Sequence, residues 1–167
     1  MNIWFTADEH YFHSNICRYC NRPFKNIKEH NETLIELHNN IVDSKDIVYH
    51  VGDLTMLSGE HVHRMKGVMN KLKGKHVLIM GNHDRFKPFT YVNELNFIHV
   101  HTFLEVEEFY LAHDPATVTV DVNHLWLCGH VHKLFKVSEM KNCINVGVDQ
   151  WEYKPVHIDE IRRLLEW

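Results

Sequence analysis

An α/β fold is predicted by the order in which apolar periodicities follow one another along the chain. In the first half, short runs of β character at residues 2–7, 47–51 and 75–80 alternate with stretches at 27–42 and 59–74 whose apolar residues recur at helical spacing. Strand, helix, strand, helix, strand favours parallel pairing through right-handed crossovers. In addition, the apolar runs stop abruptly in polar residues, and strand ends are where open α/β sheets place their ligands.

The first run, with Ile3, Trp4 and Phe5, ends in Asp8-Glu9-His10. Residues two apart in extended chain project the same way, so Asp8 and His10 can grip one ion while Glu9 points elsewhere. The polar, aromatic stretch that follows contains His13, Asn15 and Arg22 and reads as a surface loop with a short helix. Residues 27–42 carry Leu34, Ile35, Leu37 and Ile41 on one side with acids early, as an amphipathic helix does. Residues 47–51 form a second buried strand, stopped by Gly52-Asp53. Val62, Met65, Val68, Met69 and Leu72 then mark a helix over 59–74, which leads into the third strand and Gly81-Asn82-His83-Asp84. After Pro88 the composition turns to β-branched and aromatic residues with few helix signals. Strands are expected in 97–106, 109–112, 116–122, 125–128 and 143–146, and a last helix from Asp159 as N-cap through Leu165.

A chain of 167 residues is expected to form one domain with a sizeable core. It has no run of 18 apolar residues and no basic start followed by a long apolar segment, so neither a membrane span nor a secretory signal is expected, and the location is expected to be cytoplasmic. A net charge of −4 argues against bulk electrostatic binding of nucleic acid. Four cysteines are too few for a disulfide framework, and Cys17-x-x-Cys20 lacks the second pair that a zinc site needs. Histidine is the outlier: sixteen exceed what packing requires and point to metal or proton chemistry.

Gly81 permits a sharp turn at the end of a buried strand. Asn82 can then offer its carbonyl oxygen to a hard cation, with His83 left for proton chemistry and Asp84 fixing its orientation. Collected, the strand ends supply Asp8, His10, Asp53, Asn82, His113, His130 and His132. Seven oxygen and nitrogen donors exceed one tetrahedral site and suit two divalent ions sharing a carboxylate. Two other His-x-His tripeptides, His61-Val62-His63 and His99-Val100-His101, lie in a helical pattern and inside a strand, and neither is expected to bind catalytic metal.

In order, Asp8-Glu9-His10, Gly52-Asp53, Gly81-Asn82-His83-Asp84, His113 and Gly129-His130-Val131-His132 resemble the five motifs of the calcineurin-like metallophosphoesterase superfamily. The stretch Asn145-Val146-Gly147-Val148-Asp149 and Tyr153-Lys154-Pro155 is similar to the ending of its small bacterial and phage members. The resemblance implies a four-layer αββα sandwich of two mixed sheets flanked by helices. It implies one metal on Asp8, His10 and His132, a second on Asn82, His113 and His130, and Asp53 between them. It gives His83 the role of outer-sphere acid and phosphate contact, oriented by Asp84. A departure is Asp114, where small members often carry an aromatic residue.

The function so implied is hydrolysis of phosphate mono- or diesters by a metal-bridging hydroxide. Mn²⁺ is favoured, with Fe²⁺, Zn²⁺, Ni²⁺ or Mg²⁺ as alternatives. Arg22, Arg85 and Lys133 are candidates for steering a small phosphorylated substrate such as a nucleotide. The rival readings are a metal-dependent nuclease acting on polynucleotide ends and a non-catalytic protein-interaction scaffold; the first lacks a basic track, and the second characteristically lacks ligands that this chain retains.

Overall fold

Nine strands arranged in two mixed sheets are found among the described residues, 1–116 and 123–165, of the computed structural model. In chain order the elements are β1 (Ile3–Thr6), α1 (Ile16–Tyr19), α2 (Ile27–Ile41), β2 (Ile47–Val51), α3 (Val62–Met69), β3 (Lys75–Ile79), α4 (Pro88–Glu94), β4 (Phe97–His101), β5 (Leu104–Val106), β6 (Phe109–Leu111), β7 (Leu125–Cys128), β8 (Cys143–Asn145), β9 (Val156–His157) and α5 (Ile158–Leu165). The first sheet runs β4-β3-β2-β1-β9 and the second β5-β6-β7-β8. Neighbours β1 to β4 are parallel, as are β6 to β8, while β9 and β5 are antiparallel edges.

Alternation along the strands builds the layers. On β3, Val77 and Ile79 face a core shared with Phe109, Leu111, Leu127 and Ile144 of the second sheet. Leu78, between them, joins Leu34, Met65, Val68 and Tyr91 of the helices on the other face. Helix α5 adds Ile158 and Ile161 to the core between the sheets, and Trp126, Cys128 and Cys143 form a smaller cluster with Val131 and Phe135. The fold is therefore the expected α/β sandwich of two mixed sheets flanked by helices.

Local chemistry explains the element ends. The Asn26 side chain accepts the N–H groups of Lys28 and Glu29, both at 3.0 Å, and so opens α2. The helix expected over 59–74 is shorter: a 3₁₀ turn at Gly59–His61 precedes α3, and tight turns after Met69 lead to Gly74. Helix α4 goes beyond the sequence reading; its signals are Pro88 at the first helical position and the buried Tyr91 and Leu95 four residues apart. The run at 97–106 divides between the sheets at Thr102-Phe103. Asp159 does not cap α5, which starts one residue earlier; the His157 ring accepts the Asp159 N–H instead. Residues 117–122 of the strand expected at 116–122 lie outside the described residues. Among the described residues no helix is long and apolar enough to cross a membrane.

Candidate metal centre

The carboxyl ends of the parallel strands in both sheets converge. The Asp8 N–H bonds the Gly52 carbonyl at 3.0 Å, and the Val148 N–H bonds that of Ala7 at 2.9 Å, which ties the turn after β8 to the end of β1. Asp8, His10 and His132 thereby bring one ligand atom each within 4.8 Å of one another, as do Asp53, His113 and His130. Asp53 links the groups: its Oδ2 lies 3.6 Å from His10 Nε2, 3.3 Å from His113 Nε2 and 3.9 Å from His83 Nε2. Its Oδ1 is fixed by the His83 N–H at 2.9 Å. Asn82 reaches the second group through its Oδ1, 3.0 Å from His130 Nδ1.

Backbone strain is concentrated here. Asp8, His10, Asp53, His130 and His132 have φ of 58°, 52°, 57°, 69° and 46°, the left-handed region that costs about 1–3 kcal/mol per non-glycine residue. Five of the seven candidate ligands share it, so the turns are bent to aim side chains at the expense of stability. Glycine is required nearby: a Cβ on Gly52, at φ +86°, would run into the His113 ring, and one on Gly81 would overlap Asp53.

Burial and charge determine what the centre can hold. Burial raises Asp8 to about 6 and lowers His10 to about 2. Burial opposes a charged His113, yet its contact with Asp53 and the charge of Asp8 lift it to about 9. His132 likewise rises, against burial, to about 10 beside Asp149 and Cys20. The carboxylates thus draw protons onto imidazoles, and a divalent cation competes for the same atoms. Asp8 Oδ2, His10 Nε2 and His113 Nε2 are buried with no hydrogen-bond partner among the described residues. Unpartnered oxygen and nitrogen donors at both groups fit two divalent ions of intermediate hardness.

Above the centre is a cleft of about 710 Å³, with His10, His83 and His132 on its floor and Ile16, Tyr19 and Met56 along an apolar side. Lys133, expected to steer phosphate, is on its rim and donates to the Asn21 carbonyl at 3.2 Å. Arg85 is exposed and is not among the residues lining this cleft. Asp114 borders the centre, its Oδ2 4.0 Å from His130 Nε2. His61, His63, His99 and His101 belong to neither ligand group.

Two expected roles are corrected. Arg22 does not face the cleft: it is 4 % exposed and its guanidinium is engaged with Asp8, Glu9, His30 and Asp149, leaving nothing to offer a phosphate. Asp84 does not orient His83. Its carboxylate accepts N–H groups of Asp53, Leu54 and Gly81 at 2.9, 3.0 and 2.8 Å and so holds the Asp53 turn against the Gly81 turn. Two further residues complete the centre. Asp149 Oδ2 lies 3.0 Å from His132 Nδ1, and Asn145 Nδ2 donates to the His132 carbonyl at 2.7 Å.

No protein-family model matches the chain. A solved structure, that of the protein of unknown function AQ665 from Aquifex aeolicus, is similar over 98 % of both chains, with a TM-score of 0.76 and 25 % identity. The gene 66 protein of Mycobacterium phage D29 is 27 % identical over 98 % of this chain and 96 % of its own length. The uncharacterized protein MJ1445 of Methanocaldococcus jannaschii is 37 % identical over 98 % of this chain and 91 % of its own. At that identity and coverage, the chain belongs to the same protein family as MJ1445.

Proposed function

We propose that the chain is a two-metal phosphoesterase of the calcineurin-like kind, acting on a small phosphate mono- or diester. The observation that carries this reading is Asp53 Oδ2, within 3.6 Å of His10 in one ligand group and 3.3 Å of His113 in the other. Asp8, His10 and His132 would hold one ion, His113, His130 and Asn82 the other, and Asp53 both. Bound divalent ions supply a nucleophile from water at neutral pH and neutralise phosphoryl oxygens.

The chain's own groups do the rest. His83, with its side chain 36 % exposed at the cleft floor, is placed to protonate the leaving oxygen and contact the phosphoryl group. Its main chain is clamped to Asp53, so acid and ligand keep their separation. Lys133 contributes a cation at the rim, and Ile16, Tyr19 and Met56 exclude water from one side of the ester. The reading places the enzyme in the cytoplasm, where its four free cysteines stay reduced.

The test is hydrolysis of 4-nitrophenyl phosphate and bis(4-nitrophenyl) phosphate after chelation and Mn²⁺ add-back, beside Asp53→Asn. Turnover restored by Mn²⁺ and abolished in the variant is expected, and the faster substrate assigns monoester or diester. A protein that binds no metal overturns the reading in favour of a scaffold.

A further inference from the structure

A buried arginine is costly unless its charge is paired and its donors are satisfied. Arg22 meets both conditions. Its Nε and Nη2 grip Asp149 Oδ1 and Oδ2 at 2.9 and 2.8 Å. Nη2 also donates to the Asp8 carbonyl at 2.7 Å, and Nη1 donates to the Glu9 carbonyl at 3.1 Å. Nη1 faces His30 Nε2 at 2.8 Å. These contacts match the five N–H donors of a guanidinium.

The network extends in two directions. Arginine cannot accept, so His30 Nε2 is the acceptor and its Nδ1 carries the proton, which goes to Asn31 Oδ1 at 2.9 Å. Asn31 Oδ1 also holds the Phe12 N–H, at 3.3 Å. Asp8, His10 and Phe12 are all left-handed, so Arg22 and its partners brace the strained turn that carries two candidate ligands. In the other direction, Asp149 Oδ2 accepts from both Arg22 and His132 Nδ1. A carboxylate on Nδ1–H leaves the Nε2 lone pair free for a cation.

We infer that Arg22 is the positioning residue of the Asp8, His10 and His132 metal position, acting on His132 through Asp149 and on the turn that carries Asp8 and His10 through the Asp8 and Glu9 carbonyls. The inference rests on the two-metal reading and deepens it by making the two positions unequal. The second group is oriented by other means: His113 Nδ1 donates to the Val51 carbonyl at 2.8 Å, His130 Nδ1 faces Asn82, and Asp84 holds the Asp53 turn. None of these contacts involves Arg22.

The test is Mn²⁺ binding by calorimetry and metal content after dialysis for the full chain, Arg22→Met and Asp149→Asn, with circular dichroism to verify folding. Losing an outer partner of a metal-bound imidazole typically weakens affinity about 10- to 100-fold. The expected result is two ions on the parent and, in each variant, one ion bound as before and one weakened by that factor. Asp149→Asn leaves Arg22 bonded to the Asp8 and Glu9 carbonyls, so it decides the matter if Arg22→Met does not fold. Equal retention or equal weakening of both ions in a folded variant overturns the inference and leaves the two-metal reading standing. Fewer than two ions on the parent overturns both.

Discussion

The Asp84 carboxylate accepts the backbone N–H of Asp53 at 2.9 Å across 31 residues of sequence, and with it the N–H of Gly81 at 2.8 Å. Two strand ends are thereby bound to one side chain. Asp84→Asn would turn an NH₂ group toward at least one of these donors, and a buried unsatisfied donor costs about 1–3 kcal/mol. A loss of about 2 kcal/mol in urea unfolding is expected, with weaker metal binding because Asp53 is no longer fixed. The His83 ring should keep its nuclear Overhauser contacts in NMR; altered contacts would return Asp84 to the role of orienting that ring.

His83 is close to Asp53 but belongs to neither ligand group, so His83→Ala is expected to keep two metals and normal stability. General acid catalysis is typically worth about 10²- to 10⁴-fold. The loss should be small for 4-nitrophenyl phosphate, whose leaving group departs readily without a proton, and large for phenyl phosphate. Equal losses on both substrates would remove the acid role and leave phosphate contact alone.

The candidate ligand set converges in the fold, and it was legible because each member lies at a strand end, where side-chain type and local periodicity are both visible in sequence. The supporting residues were not. Arg22 meets Asp149 across 127 positions, and nothing local distinguishes a guanidinium buried under a candidate metal site from one that faces a phosphate. Asp84 was misread for a related reason: its neighbour in sequence is His83, but its partners are backbone N–H groups that only the parallel pairing of β2 and β3 brings near. The sheets were legible as apolar runs, but the division at Thr102-Phe103 was not, because no glycine or proline interrupts residues 97–106. Short elements such as β9 depend on tertiary pairing with β1 and carry little signal of their own.

Gly52 and Gly59 separate backbone strain from collision. Both have positive φ, +86° and +55°, but an added Cβ meets the His113 ring at Gly52 and open space at Gly59. Gly59→Ala should cost only the backbone term, about 1–2 kcal/mol. Gly52→Ala should cost more in thermal melting and should weaken the ion held by His113. Equal destabilisation with intact metal binding would mean that the His113 ring can move aside.

Metal uptake should release protons, because burial notwithstanding His113 and His132 hold theirs to about 9 and 10. At pH 7 both rings are protonated, and each must give up a proton before Nε2 can ligate. Calorimetry of Mn²⁺ binding in two buffers of different ionisation enthalpy should report close to two protons released per two ions, with affinity rising as pH is raised from 6 to 8. Binding independent of pH would exclude these rings as ligands.

Acid sensitivity should come from the buried histidines, His10 at the centre among them. Burial lowers His30 and His38 from 6.5 to about 4. Between those values and 6.5 the unfolded chain binds more protons than the folded one, so stability rises with pH across this window and is complete above it. Each histidine can contribute up to about 1.4 kcal/mol per pH unit there. Urea unfolding of the chelated protein, where metal binding adds no pH dependence, should show a marked loss from pH 6.5 to pH 4.5. In His38→Gln the side-chain amide can still donate to the Lys73 carbonyl, which His38 Nε2 meets at 2.8 Å, but it cannot titrate. The variant should show a shallower slope with little change at pH 7; an unchanged slope would mean that His38 takes up no proton on unfolding in this range.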